Sequence, residues 1–127
     1  MKKIISTDHA PAAIGPYAQA VRYGDLLFVS GQIAIDPETG QIVEDDIEVQ
    51  TKQVMENLQA IIKEAGMALQ NVLKCSCFLK DMEDFVKFNA VYNRYFAESL
   101  PARETVEVGR LPKDVRVEVS AICGAEE

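Results

Sequence analysis

Three features of this 127-residue sequence predict an α+β domain with both helices on one face of a mainly antiparallel sheet. Two stretches repeat apolar side chains at the helical period, six others read as strands, and their order is β-β-β-α-β-α-β-β. Lys3 to Ser6 opens the chain as a short strand. Tyr17 to Tyr23 and Leu26 to Ile35 follow, joined at Gly24-Asp25 by a two-residue hairpin signal. Asp36-Pro37-Glu38-Thr39-Gly40 closes the next turn, because Pro presets φ and Gly accepts a positive φ. The first helix starts near Asp45 or Asp46, where Asp45 and Glu48 have capping-box spacing. It carries Val54, Met55, Leu58, Ile61, Ile62 and Ala65 as one stripe and stops at Gly66. Val72 to Lys80 is the next strand. The second helix begins after Asp81, carries Phe85, Phe88, Val91, Tyr92, Tyr95 and Phe96, and ends before Pro101. That aromatic stripe reads as core. Arg103 to Val108 and Val115 to Ile122 complete the sheet, separated by Gly109 to Asp114 with Pro112 inside.

Composition narrows the function. Thirteen basic against 20 acidic side chains give a net charge of −7 and a pI near 4.7, which disfavours salt-dependent binding to nucleic acid. No apolar run approaches the roughly 18 residues that cross a bilayer, and the start of the chain lacks the apolar core of a secretion signal. A cytoplasmic protein with no membrane partner is expected, and three cysteines, an odd number, agree with a reducing compartment. One domain over residues 1–127 buries enough surface to need neither disulfides nor a structural metal. Cys75 and Cys77 form a C-x-C in an apolar run. With only His9 and Cys123 as further soft donors, none at zinc-site spacing, they read as small buried hydrophobes, and no metal is expected. Phosphate-cradling loops, dinucleotide fingerprints and the serine-hydrolase elbow are missing from the sequence, so no cofactor is expected either.

The strands carry the functional signal. In Leu26 to Ile35, alternation puts Leu27, Val29, Gly31, Ile33 and Ile35 on one face and Leu26, Phe28, Ser30, Gln32 and Ala34 on the other. Both faces are largely apolar. Two helices cover only one, so a second copy of the chain is expected on the other. In Arg103 to Val108, Val106 and Val108 are expected toward the helices, with Arg103, Thr105 and Glu107 opposite. Val115, Val117, Val119 and Ala121 likewise oppose Arg116, Glu118 and Ser120, so Arg103 and Glu118 are expected on the same, neighbour-covered face. An interface ion pair between them, or two solvated side chains, fits this pattern as well as a site does. Chemistry adds a functional reading. An arginine fork grips a carboxylate through two hydrogen bonds, and a glutamate one water away from a reacting carbon deprotonates that water. Tyr17, Ser30 and Asn89 add neutral hydrogen-bonding groups, and the set suits hydrolysis of a small carboxylate. With one histidine and no nucleophile–base pair, the substrate should be intrinsically reactive.

Four separated motifs then make the chain recognisable: Ala10-Pro11-Ala12-Ala13-Ile14-Gly15-Pro16-Tyr17; Ser30-Gly31-Gln32-Ile33; Pro101-Ala102-Arg103; and Arg110-Leu111-Pro112-Lys113-Asp114 with Val117-Glu118-Val119. In this order, and nearly end to end, they resemble the YjgF/RidA family, the reactive intermediate deaminases. The resemblance implies a chorismate-mutase-like α+β fold assembled as a homotrimer, with sites in the clefts between chains. It also implies hydrolysis of 2-iminobutanoate, 2-iminopropanoate and their enamine tautomers, products of pyridoxal-phosphate dehydratases acting on threonine and serine, to 2-keto acids and ammonia. By the same resemblance Arg103 grips the substrate carboxylate and Glu118 holds the attacking water. Tyr17, Ser30 and Asn89 line the cleft, and Gly31 supplies backbone where substrate lies. Members of the deaminase subgroup read Arg-Ser-Cys where this chain reads Arg103-Glu104-Thr105, so Thr105 stands at a position counted with the catalytic set. The loop before Pro101 is also shorter than in some members. Some relatives are labelled translation inhibitor or single-strand endoribonuclease, an RNA-acting alternative that the acidity disfavours. A non-catalytic, carboxylate-binding or chaperone-like trimer is the third reading, which Thr105 would permit.

Overall fold

A computed structural model describes residues 1–126. Its elements are β1 (Lys2–Ile5), β2 (Ala20–Tyr23), β3 (Leu26–Gln32), α1 (Ile47–Glu64), β4 (Val72–Leu79), α2 (Phe85–Phe96), β5 (Ala102–Glu107) and β6 (Val117–Gly124). They form one six-stranded sheet in the order β1-β2-β3-β6-β4-β5. Neighbours pair antiparallel except β4 and β5, which run parallel across the α2 crossover. Element types and order are those the sequence predicts, and the α+β layout holds.

Local chemistry explains the ends. Tyr23 pairs with Leu26 across the Gly24-Asp25 turn, where Gly24 takes φ +60°. Asp46, in extended conformation, caps α1 by accepting from the N–H groups of Glu48 and Val49 at 2.9 and 3.0 Å. Asp45 is not the cap. Its carboxylate accepts from Arg116 Nε at 2.7 Å instead, so the Asp45/Glu48 capping box does not form. Gly66, at φ +79°, ends the helix. Asp81 accepts from the Glu83 N–H at 2.9 Å and starts a single 3₁₀ turn, Met82–Asp84, that feeds α2.

The core lies between the sheet and the two helices. Cross-strand register lines up Val29, Ala121 and Cys75 in one row and Val119 with Cys77 in the next, beneath Val54, Leu58, Ile61 and Ile62 of α1 and Phe88 of α2. Each fully buried aliphatic or aromatic side chain contributes about 1.5–3 kcal/mol of transfer free energy. The three cysteines are free and buried, as the sequence suggests. Burial pushes all three thiols up, Cys77 and Cys123 to about 12, so they pack as neutral hydrophobes.

Two face assignments differ from the sequence expectation. A bulge between Val29 and Gln32 shifts the parity of β3, so Gln32 and Ala34 continue the buried row of Leu27 and Val29. Gly31 leaves that row for the opposite face. Asn57 of α1, itself buried, holds the chain beyond the bulge by donating to the carbonyls of Ile33 and Ile35 at 3.1 and 3.0 Å. In β5 the faces are reversed. Parallel pairing sets Arg103 beside Cys75 and Thr105 beside Cys77, so both lie on the helix side, while Val106 joins Phe78 and Glu118 on the other. Alternation defines which residues share a face but leaves the choice of face to long-range register. The outer face keeps Ile4, Tyr23, Leu26, Phe28 and Val106 exposed, and neither helix covers it. Among the described residues no helix is long and apolar enough to cross a membrane, and no three His, Cys, Asp or Glu side chains gather as for a metal ion.

Candidate active site in two halves

The first half lies where α2 meets the edge strand β5. Helical spacing places Phe85, Asn89 and Tyr92 on one face of α2, above Arg103. The Asn89 side-chain oxygen accepts from Arg103 Nη1 at 2.7 Å, and the guanidinium carbon lies 4.6 Å from the centre of the Tyr92 ring and 5.6 Å from that of Phe85. Among the described residues no carboxylate pairs with Arg103, and its Nε and Nη2 hydrogens have no protein acceptor. The fork opens beside a cavity of about 380 Å3 walled by Phe96, Leu100 and Pro101.

The second half lies on the outer face, around the β3 bulge. Glu118 of β6 lies over Gly31 so closely that a Cβ there would run into its carboxylate. This approach, rather than a positive φ, favours glycine at position 31, because a Cβ there would displace the Glu118 carboxylate. Burial alone pushes the Glu118 carboxyl above its ordinary value, and no cation pairs with it among the described residues. Tyr17, 56% exposed, lines a cavity of about 350 Å3 with Gly31, Ile33 and Pro112. Its loop is pinned by the buried Gln19, whose amide accepts from the Thr7 N–H at 2.7 Å and donates to the Pro11 carbonyl at 2.8 Å. Ser30 donates its hydroxyl to the Ala18 carbonyl at 2.6 Å, which ties the bulge to the same loop. Beyond Pro112, Lys113 and Asp114 take left-handed φ values of 55° and 57°. Arg110 secures this strained turn by donating to both Asp114 carboxylate oxygens at 2.7 and 3.1 Å.

Residues 7–124, which contain both halves, match the protein-family model described as Endoribonuclease L-PSP. The chain belongs to that family. It is 56% identical over 126 residues to a RutC family protein of Pyrococcus horikoshii, covering 99% of this chain and 100% of the relative. It is 47% identical over 126 residues to the 2-iminobutanoate/2-iminopropanoate deaminase of Salmonella typhimurium, covering 97% and 98%. The crystal structure of E. coli TdcF with bound serine superposes with a TM-score of 0.93 at 42% identity, covering 98% of this chain and 99% of that one.

In this L-PSP family chain the structure joins Arg103 to Asn89, and Glu118 to Gly31, with Tyr17 beside Gly31 and Ser30 in the same bulge. It does not join the two sets. Arg103 faces the helices and Glu118 faces away, which corrects the expectation of one shared face and excludes an ion pair between them within one chain. Thr105 lies on the Arg103 side, two residues further along β5, with its hydroxyl buried beside the Cys77 thiol and without a well-formed hydrogen bond among the described residues. Sequence reasoning missed Phe85 and Tyr92 as ring partners of Arg103, having read the whole aromatic stripe as core. Their offsets of four and three residues from Asn89 carried the signal. Gln19 was missed too, and nothing in the pattern marks it.

Proposed function

We propose that this L-PSP family chain hydrolyses reactive 2-imino acids, and with them their enamine tautomers, to 2-keto acids and ammonia in clefts shared between copies of the chain. The observation that carries this reading is the ordered, half-engaged Arg103 fork. Asn89 fixes one nitrogen at 2.7 Å while Nε and Nη2 remain available for a planar carboxylate. Glu118 supplies the complementary group, a carboxylate with no cation paired to it among the described residues, whose raised pKa suits proton exchange with water. With the substrate carboxylate on Arg103, water adds to C2 of the imine while Glu118 takes one of its protons and passes it to the imine nitrogen, giving a carbinolamine that carries OH and NH2 on C2. Glu118 then takes the hydroxyl proton and delivers it to that nitrogen as the C2–N bond breaks, so that ammonia leaves, C2–O becomes the carbonyl of the keto acid and Glu118 is ionised again. Imine and water are consumed, and keto acid and ammonia are released. An imine carbon is electrophilic already, so positioning and proton transfer suffice. The deaminase name of the Salmonella relative and the serine, itself a small carboxylate, in the TdcF structure support the same substrate class.

The two halves lie on opposite faces of one sheet, so a cleft holding both takes Arg103 and Asn89 from one chain and Tyr17, Gly31 and Glu118 from the next. The uncovered apolar outer face supplies a surface for that contact, and the family resemblance supplies the number three. Light scattering should therefore report about three times the 14.1 kDa chain mass. Inactive Tyr17→Ala and Arg103→Ala chains, unfolded together and refolded at equal amounts, should regain roughly a quarter of parental activity, because random assembly restores that share of boundaries. A monomer, or a trimer that never complements, would refute the shared cleft.

The activity itself is tested by coupling to threonine dehydratase, which releases 2-iminobutanoate, with semicarbazide trapping the imine. Added protein should suppress the trapped product. Cleavage of single-stranded RNA without such suppression would replace the deaminase reading by the nuclease one. Thr105 has a specific expectation in this assay. Its buried hydroxyl has no well-formed hydrogen bond, the Cys77 thiol beside it being a weak partner, so Thr105→Val and Thr105→Cys should both stay within about threefold of the parent, and the valine variant should stay close to parental stability. A large gain with cysteine would show that the thiol of the deaminase subgroup contributes to turnover. A loss in the valine variant alone would assign that contribution to the hydroxyl.

A further inference from the structure

We infer that Tyr92 is a positioning residue for Arg103, with the face of its ring rather than its hydroxyl holding the guanidinium ready for a carboxylate. Arginine offers five N–H donors on a long, flexible stem. A single hydrogen bond, Nη1 to Asn89 at 2.7 Å, leaves the fork free to swing about that contact. The Tyr92 ring, 4.6 Å from the guanidinium carbon, supplies a second restraint from a different direction, and Phe85 at 5.6 Å supplies a weaker third. Tyr92 is rigid enough for this task. It is 7% exposed, and its ring lies 5.7 Å from Phe88 and 4.8 Å from Phe96, centre to centre.

The hydroxyl has no part in the seat. It is buried on the core side beside the Cys75 thiol, a weak partner, with no well-formed hydrogen bond among the described residues. Burial raises its pKa, so it stays a neutral phenol. A buried hydroxyl whose neighbour is a weakly hydrogen-bonding thiol adds little to stability, which leaves the ring as the useful part of the residue. A plain core role would be served by any apolar side chain. It would not require Phe85, Asn89 and Tyr92 to converge on one guanidinium.

The expected effect on ligands rests on the deaminase reading, whereas the seat itself does not, and the experiment separates the two. Tyr92→Phe, Tyr92→Leu and Phe85→Leu would be compared by calorimetry with 2-oxobutanoate, by KM and kcat in the coupled assay, and by the 15N NMR signal of the Arg103 Nε–H. Tyr92→Phe should keep parental values. Tyr92→Leu should raise Kd and KM about tenfold with kcat within about threefold. Its Arg103 signal should move to the position of a freely solvated arginine. Phe85→Leu should shift both readouts in the same direction by less. An unchanged Arg103 signal and Kd in Tyr92→Leu would overturn the inference, and so would a phenylalanine variant that loses as much as the leucine one. Should Tyr92→Leu fail to fold, Phe85→Leu decides: a shifted Arg103 signal upholds the seat and an unchanged one overturns it. If the parent binds no 2-oxobutanoate yet the Arg103 signal responds as expected, the seat stands and the deaminase reading falls.

Discussion

Arg103→Lys is expected to lower kcat/KM for 2-iminobutanoate about 100-fold while the assembly keeps its mass and close to its parental melting temperature. Lysine retains the positive charge but not the fork. It cannot donate two parallel hydrogen bonds to a carboxylate while keeping a third to Asn89, and an ammonium stacks less well on the Tyr92 ring. Losing one hydrogen bond to a charged group costs about 1.5–3 kcal/mol, and about 2.7 kcal/mol corresponds to 100-fold. The fold should tolerate the change, because Arg103 lies on an edge strand, is only partly buried and has no carboxylate partner among the described residues whose charge would be stranded. Steady-state kinetics and calorimetry with 2-oxobutanoate would check this. A variant within about threefold of the parent in both would remove Arg103 from carboxylate binding, since the bidentate contact is the whole of its assigned role.

Glu118→Gln should separate binding from turnover. The amide has nearly the same shape and still hydrogen-bonds water, so affinity for 2-oxobutanoate should stay within about threefold, while kcat falls roughly 100- to 1,000-fold for want of a base. The pH profile follows from the raised carboxyl. The base must be ionised, so parental kcat/KM should climb with pH through a value above the ordinary carboxylate range, and that limb should vanish in the variant. Stability has the opposite sign. A folded-state pKa above the unfolded one gives a contribution that is fully present below the ordinary carboxylate pKa and is lost as pH rises through the folded value. At neutral pH the ionised Glu118 is therefore a burden to the fold, and Glu118→Gln should melt no lower than the parent. Binding and turnover that fall together would instead assign Glu118 a structural role.

Much of the fold was legible because its signals are local. The Gly24-Asp25 hairpin, the stop at Gly66 and the apolar stripe from Val54 to Ile62 each follow from a few neighbouring residues and stand in the structure as expected. The buried thiols were legible for the same reason, since a C-x-C on a strand repeats a single face. Asp45 shows where local reasoning ends. Its spacing to Glu48 suits a capping box, yet Arg116, 71 positions away, takes the carboxylate, and the adjacent Asp46 caps the helix.

The site divides in the same way. Chemistry and motif marked Tyr17, Ser30, Gly31, Asn89, Arg103 and Glu118 as candidates, and in the structure they gather into two clusters. The sequence specified which groups were available: a fork for a carboxylate, a base for a water and, by the family resemblance, a glycine whose backbone lies beside the substrate. Where they point is set by the assembled sheet. One inserted residue in β3 moves Gly31 beneath Glu118, and parallel pairing with β4 turns Arg103 toward α2, away from the face that its alternation with Val106 suggests. A strand's two faces are one residue apart in register, and hydrogen bonds to strands distant in the sequence set that register. The face on which each group works is therefore a long-range property that no local pattern encodes.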